Sequence, residues 1–410
     1  MSWLIRRSPE DPDSPADAPG VYAARAARAY AAMQSAFRTS DGLYRRDGLL
    51  HRPGSAAHLW PFARALVATL DLAGVGEDLR GRFDAGAAVA DRLQALERYW
   101  DPTGDAPAYS SDVLGTGLGG DRYCDDNAWV GLGLVQLERM RPGAGTLDRA
   151  IDLFRFAVAG WDSRPDVPSP GGVFWVEQGR GLGLRNHERN TVSNAPNAQL
   201  GLHLAELSGP PTGAPGSIAA EPGSIGAEEM CGWVNATLDA GPPGDSPATG
   251  LFWDKLRNDG TIDRALWSYN QGSMVGANVL LARQAGAAQA GSLARHPSGA
   301  QAECLARAEA IARKALRHFG EAGYETQPPA FNAIFFRNLL LLHAATSDAE
   351  LRIEIIDAMR VYTNRAWCQR RDRNDRFHFS GRGVTLLDQS AMVQLLALLA
   401  WDPGGYQKLA

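Results

Sequence analysis

From about residue 20 to residue 400, apolar residues recur along this chain at i, i+3 and i+4, the period of helices that bury one face. The recurrence predicts twelve helices, at about 20–38, 59–74, 79–99, 124–140, 145–160, 191–207, 226–239, 267–285, 300–318, 329–346, 348–368 and 384–400. No set of alternating strand patterns competes with them, and stretches such as Gly172-Val173-Phe174-Trp175 suit small hairpins inside loops. Charge sorts the helices into two kinds. Every second one, beginning with 59–74, is poor in charge: Cys124–Met140, Thr191–Leu207, Trp267–Gly286, Phe331–Thr346 and Thr385–Ala400. Their partners carry a polar face, as in Leu79–Trp100 with Arg80, Arg82, Asp84, Asp91, Arg92, Glu97 and Arg98. Helices apolar all round are buried and one-faced helices lie outside. The expected fold is therefore all-α: an (α/α)6 toroid with six inner and six outer helices. It forms one domain over residues 20–403, between a disordered N-terminal tail (1–19) and a C-terminal tail (404–410).

Loop lengths orient this barrel. Connections leaving an inner helix are mostly short, as at 74–79, 140–145 and 346–348. Connections entering one are mostly long: 39–58, 100–123, 161–190, 240–266 and 369–383. In an alternating up-down barrel all entering loops share one end, and long loops in a compact domain usually carry function. These loops are rich in aromatics, Gly, Asp and Asn, so the active end should hold the N-termini of the inner helices. The long connection 208–225 departs from the rule. It repeats Pro-Gly-Ser-Ile at 215–218 and 222–225 and is assigned no role.

Composition narrows the chemistry. A net charge of −5 without any block of like charge disfavours nucleic acid or an anionic membrane as main partner. The four cysteines (Cys124, Cys231, Cys304, Cys368) contain no C-x-x-C pair, and the eight histidines show no H-E-x-x-H spacing, so no metal site is expected. No run of 18 apolar residues predicts a membrane span, and residues 1–20 lack the apolar segment of a secretory signal. The expected location is the cytoplasm.

Two adjacent carboxylates then stand out. Tyr123-Cys124-Asp125-Asp126-Asn127-Ala128-Trp129 ends a glycine-rich loop (Gly115, Gly117, Gly119, Gly120) and opens a buried helix. Asp-Asp pairs often only cap a helix and complement its dipole. Here the flanking Tyr123 and Trp129, on the long-loop end of a barrel, favour glycoside cleavage. That chemistry needs one carboxylate and one carboxylic acid, about 5–5.5 Å apart in a retaining enzyme. Trp267-Ser268-Tyr269-Asn270-Gln271-Gly272 opens another inner helix with aromatic faces beside amides, as a sugar ring requires. Gly171-Gly172-Val173-Phe174-Trp175 and Gly250-Leu251-Phe252-Trp253-Asp254 lie in entering loops, with Asp254 a candidate for binding hydroxyls. Asn194 opens a further inner helix. Arg337, on a charge-poor helix, needs a partner: a carboxylate of the active end or a structural ion pair.

Four segments of the chain, in their order and spacing, resemble glycoside hydrolase family 76, the α-1,6-mannanases. The resemblance rests on Tyr123-x-Asp125-Asp126-x-Ala128-Trp129, Gly171-Gly172-x-x-Trp175, Trp267-x-Tyr269-Asn270-Gln271-Gly272 and Phe331-x-x-Ile334-x-x-Arg337, and covers most of residues 20–402. Asn332 departs from it, standing where the family pattern leads one to expect Lys. The resemblance implies an α/α toroid and retaining, endo-type cleavage of α-1,6-linked mannose backbones without metal or cofactor. It implies Asp125 as nucleophile and Asp126 as general acid/base. Tyr123, Trp175, Asn194, Asp254, Trp267, Tyr269, Asn270, Gln271 and Arg337 are the expected sugar-binding residues. The substrate would be mannan or mannooligosaccharide. The family is typically exported, unlike the location read above. Two rival readings share the scaffold: a sugar epimerase of the N-acylglucosamine 2-epimerase kind, working through His58 and His378, and a non-catalytic glycan-binding protein.

Overall fold

A computed structural model describes residues 18–45, 55–79, 81–116, 120–208, 226–241, 249–290, 299–379, 381 and 383–410. The duplicated Pro-Gly-Ser-Ile segment, Gly117, Gly119 and nearly all of the N-terminal tail lie outside the described residues. The helices are α1 (Pro19–Phe37), α2 (Leu59–Gly74), α3 (Ala85–Leu96), α4 (Cys124–Met140), α5 (Leu147–Ala159) and α6 (Thr191–Ser208). They continue as α7 (Ala227–Thr237), α8 (Ser268–Ala290), α9 (Gly299–Tyr324), α10 (Pro329–Ala345), α11 (Ala349–Gln369) and α12 (Leu386–Ala400). Each even-numbered helix packs on the next, and α12 returns to α2 and closes the ring. The fold is the (α/α)6 toroid that the alternation of charge-poor and one-faced helices predicts.

Two outer helices differ from expectation. The segment expected as one helix over 79–99 is a 3-10 turn at Gly76–Leu79, then α3, then a 3-10 turn at Glu97–Tyr99. Gly81 adopts φ +72°, which stops a helix, and the Asp84 side chain restarts one by accepting from Ala87 N at 2.9 Å. Helix α9 runs further than expected, through a break at Gly320 (φ 49°), because Phe319 and Tyr324 on either side both pack into the core. Residues 404–410, expected as a tail, pack on the barrel. Pro403–Lys408 form a 3-10 helix, with Tyr406 and Leu409 buried.

Close inner-helix packing depends on particular glycines. A Cβ at Gly272 would lie 2.6 Å from the Cα of Phe335, so the glycine that ends Trp267–Gly272 is where α8 touches α10. The barrel interior is also ionic. Arg337 on α10 pairs with Asp71 on α2 and donates to Gln136 on α4, while Gln136 Nε2 donates to Asp71 at 2.9 Å. All three are buried. Asp71 and Gln136 each lie twelve residues past the start of their helix, roughly 18 Å from the mouth. The network therefore ties three inner helices together well below the entering loops.

Candidate active site

Four of the entering loops are fixed to the barrel by one repeated device. Near the start of an inner helix, a buried side-chain amide grips the backbone of the loop before it. Asn127 Oδ1 accepts from Tyr109 N (2.8 Å) while Nδ2 donates to Tyr109 O (3.0 Å). Asn194 accepts from Val173 N (2.8 Å), and Gln271 accepts from Phe252 N (2.8 Å) and donates to Phe252 O (2.9 Å). Gln389 accepts from Phe377 N (3.1 Å). In the first three cases the amide also donates to the carbonyl four residues back, at Tyr123, Asn190 and Trp267. Leaving such a buried backbone group unpaired costs about 1–3 kcal/mol, so each grip sets its loop in register. Trp175 and Asp254 lie two residues beyond their gripped positions.

The glycines of the loop beside α6 have a steric reason. Gly171 and Gly172 have φ of +96° and +82°, and a Cβ there would meet Trp161 at 2.7 Å and Trp233 at 2.6 Å. The chain turns tightly at this point and then runs along the start of α4. Cys124 N donates to Trp175 O (2.9 Å), and Asn197 Nδ2 donates to Cys124 O (3.1 Å). Cys124 is thus held on both sides by its backbone, with a buried thiol whose pKa burial pushes well up. It is a packed spacer and not a nucleophile.

Asp125 and Asp126 occupy the first turn of α4, half-buried at the mouth. Asp125 is aligned: Oδ2 accepts from Trp175 Nε1 at 3.1 Å and Oδ1 accepts from Asp126 N at 3.0 Å. Neither carboxylate has an ion-pair partner among the described residues. Burial raises Asp125 to about 7 against the lowering effect of those two hydrogen bonds, and the charge of Asp254 adds to the rise. Asp126 is pushed well above the usual carboxylate range, by burial first and then by Asp125. Like charges resist joint ionisation, so the pair holds one proton over a wide pH range. The hydrogen bonds favour the ionised form at Asp125 and leave the proton on Asp126.

Around this pair stand the aromatics. Tyr123 packs on Trp175 with centroids 4.9 Å apart. Tyr269 stacks on Phe331 at 3.9 Å and 17°, and Trp267 and Trp60 meet the same Phe331 at 5.6 and 6.0 Å. The charges of Asp254 and Asp125 both bear on the Tyr269 hydroxyl, which brings α4, α8 and the loop before α8 to one place. Asp254 accepts from Asn270 Nδ2 at 3.1 Å, and burial raises its pKa. Of the expected sugar contacts, Tyr123, Trp175, Asp254, Trp267, Tyr269 and Asn270 therefore lie at this end of the barrel.

Three expected sugar contacts are corrected. Asn194 and Gln271 are fully buried and spend both their donor and acceptor groups on backbone, so they hold loops. Arg337 points into the barrel toward Asp71 and Gln136, which completes it as a structural ion pair. Sequence reading missed the gripping amides Asn127 and Gln389 and the aromatic plate Phe331. The signal was present as an amide four residues past Tyr123, Asn190, Trp267 and Thr385 alike. His58 and His378 each face a carboxylate of their own, Asp112 at 3.2 Å and Asp372 at 3.1 Å. Among the described residues no three His, Cys, Asp or Glu side chains gather into a metal-binding group, and no helix is long and apolar enough to cross a membrane.

The chain matches the family Glycosyl hydrolase family 76 over residues 104–394. Among solved structures it is similar to a GH76 α-mannanase of Bacteroides thetaiotaomicron. The identity is 16%, the coverage 95% of this chain and 98% of that one, and the TM-score 0.71. A family 76 glycoside hydrolase described as a mannosidase, from strain VPI-5482 of the same species, gives 20%, 93%, 98% and 0.70. An α-1,6-mannanase of Salegentibacter sp. HEL1_6 gives 18%, 92%, 99% and 0.67. That structure is of an inactive variant, with two consecutive aspartates replaced by asparagine, in complex with α-1,6-mannotriose. No curated protein matches the chain in sequence.

Proposed function

The chain belongs to glycosyl hydrolase family 76 and is a glycoside hydrolase, and from that premise we propose that it hydrolyses α-1,6-mannosidic linkages of mannan or mannooligosaccharides with retention of configuration. The observation that carries the reading is the unequal environment of two neighbouring aspartates. Asp125 receives two hydrogen bonds that suit a carboxylate, whereas burial and the neighbouring Asp125 push the Asp126 carboxyl well above the usual range. The solved α-1,6-mannanase inactivated at two consecutive aspartates supports the same assignment. Family membership sets aside the epimerase alternative.

In the first step Asp125 attacks the anomeric carbon as Asp126 gives its proton to the departing glycosidic oxygen. The C–O bond to the leaving sugar breaks, and a mannosyl ester of Asp125 forms with inverted configuration. Asp126, now a carboxylate, takes a proton from water, which attacks the same carbon and releases Asp125. Two inversions return the α-anomer. The N-terminus of α4 favours negative charge on the departing Asp125 carboxylate. Tyr123 and Trp175 on one side and Tyr269 with Trp267 on the other offer ring faces to sugar C–H groups, and Asp254 and Asn270 offer partners to hydroxyls.

The test is incubation with reduced α-1,6-mannooligosaccharides, with products followed by mass and by anomeric NMR. Early accumulation of the α-anomer, lost in Asp125→Asn and Asp126→Asn, is the expected result. An early β product, or no cleavage by well-folded parent protein, overturns the assignment of stereochemistry or of substrate respectively.

A further inference from the structure

At the end of the barrel away from the aspartates lies a recess of about 730 Å³, within the range of small-molecule sites. It forms where α4, α6 and α10 end beside the later turns of α8. Arg139, Arg283 and Lys408 line it, beside an apolar wall that includes Leu207, Val279 and Leu305. Fourteen residues of α4 separate Asp125 from Arg139, about 21 Å along the helix. The recess is therefore separate from the glycan site.

Its charges do not balance locally. Arg139 pairs with Glu206 and lies 2.8 Å from Nδ1 of the buried His203. Glu138, the one carboxylate on the lining, is consumed by Gly143 N, Thr146 N and the Thr146 hydroxyl. Arg283 is half-buried, and neither it nor Lys408 has a carboxylate within ion-pair reach among the described residues. Burial depresses the Arg283 guanidinium, the charge of Glu206 offsets this in part, and that of Arg139 depresses it further by a smaller amount. Arg139 Nε and His203 Nε2 are buried without an acceptor. The last turns of α4, α6 and α10 and the first turns of α5 and α9 all meet the recess, so helix dipoles of both signs act there. No described helix-terminal carbonyl accepts from either guanidinium, and Arg139 is engaged by Glu206 and His203 alone among the described residues. Arg283, half-buried without a counterion among the described residues, is costly, and an anion relieves the cost.

We propose that this recess binds a small organic phosphate monoester, with the phosphate among Arg139, Arg283 and Lys408 and the carbon skeleton along Leu207 and Leu305. Guanidinium forks match the oxygen pairs of an oxyanion, and the ammonium adds a point charge. Three cations stand against two carboxylates, Glu206 and Glu138, which leaves positive charge for an anion such as a phosphate monoester, itself carrying about −1.5 to −2, to meet. The apolar wall gives an organic ester an advantage over the inorganic ion.

The test uses the full chain in thermal-shift and calorimetric titrations with glycerol 1-phosphate and glucose 6-phosphate. Glucose, succinate and inorganic phosphate serve as controls. Saturable stabilisation by a phosphoester is expected, with affinity at least about tenfold weaker in Arg283→Ala, partly restored in Arg283→Lys, and unchanged in Asp126→Asn. Should Arg283→Ala fold poorly, Lys408→Ala, at an exposed position, must show a weakening of several-fold. No stabilisation by either ester, an equal response in Arg283→Ala or Lys408→Ala, or an equal response to succinate or inorganic phosphate overturns the proposal.

Discussion

Two groups of carboxylates, one at each end of the barrel, are held in opposite ways. At the rear, Asp71 is buried but receives Arg337 and Gln136, Glu206 receives Arg139, and Glu138 caps the turn after α4. At the mouth, Asp125 and Asp126 are packed among aromatics and have no ion-pair partner among the described residues. The same helix, α4, carries both arrangements. Satisfied charge holds the fold, while charge left without a counterion raises the stability cost and tunes protons. That contrast is what distinguishes a structural from a reactive carboxylate.

The sharpest way to break the comparison is to remove charge at the mouth. Asp125→Asn or Asp126→Asn should lower turnover of α-1,6-mannooligosaccharides by at least about 10²–10⁴ with the fold intact, read by steady-state kinetics beside melting curves. Near-parent turnover in either variant would refute the division of roles. At the rear the outcome should invert. Arg337→Met strands Asp71 and should cost about 3–5 kcal/mol in chemical denaturation, with kcat of the folded protein nearly unchanged. A large fall in kcat would show that Arg337 acts at the mouth after all.

Smaller effects sharpen the boundary. Trp175→Phe keeps the ring but removes the donor to Asp125, a hydrogen bond to a charged group that contributes about 1.5–3 kcal/mol. The expected result is a 10–100-fold lower kcat, and an acid limb of the pH–rate profile moved upward as Asp125 becomes harder to ionise. Asn194→Ala should cost about 1–3 kcal/mol and speed amide exchange at Val173, since it frees a buried backbone group. Stability should also depend on pH. The pair's folded pKa values are raised above those of the unfolded chain, so its contribution is full below about pH 4 and is lost as pH rises through the Asp125 value near 7. Asp126→Asn should flatten that decline, and an unchanged slope between pH 4 and 8 would refute the assigned shifts.

The sequence by itself determined the toroid, because burial on all sides against burial on one side is written into the spacing of charged residues. It also located the mouth, since loop length and loop composition follow from which end must build a site, and it singled out Asp125 and Asp126 with most of their aromatic surroundings. What it could not assign was the direction of a buried polar side chain. Asn194, Gln271 and Asn270 look alike as amides near helix starts, yet two of them grip backbone and the third turns to Asp254. Arg337 read equally well as a site residue or an ion pair until Asp71, 266 residues away in sequence, was placed beside it. Hydrophobic period is a local property of the chain. The partner of a buried polar group comes from another part of it, and only the closed ring of helices brings the two together.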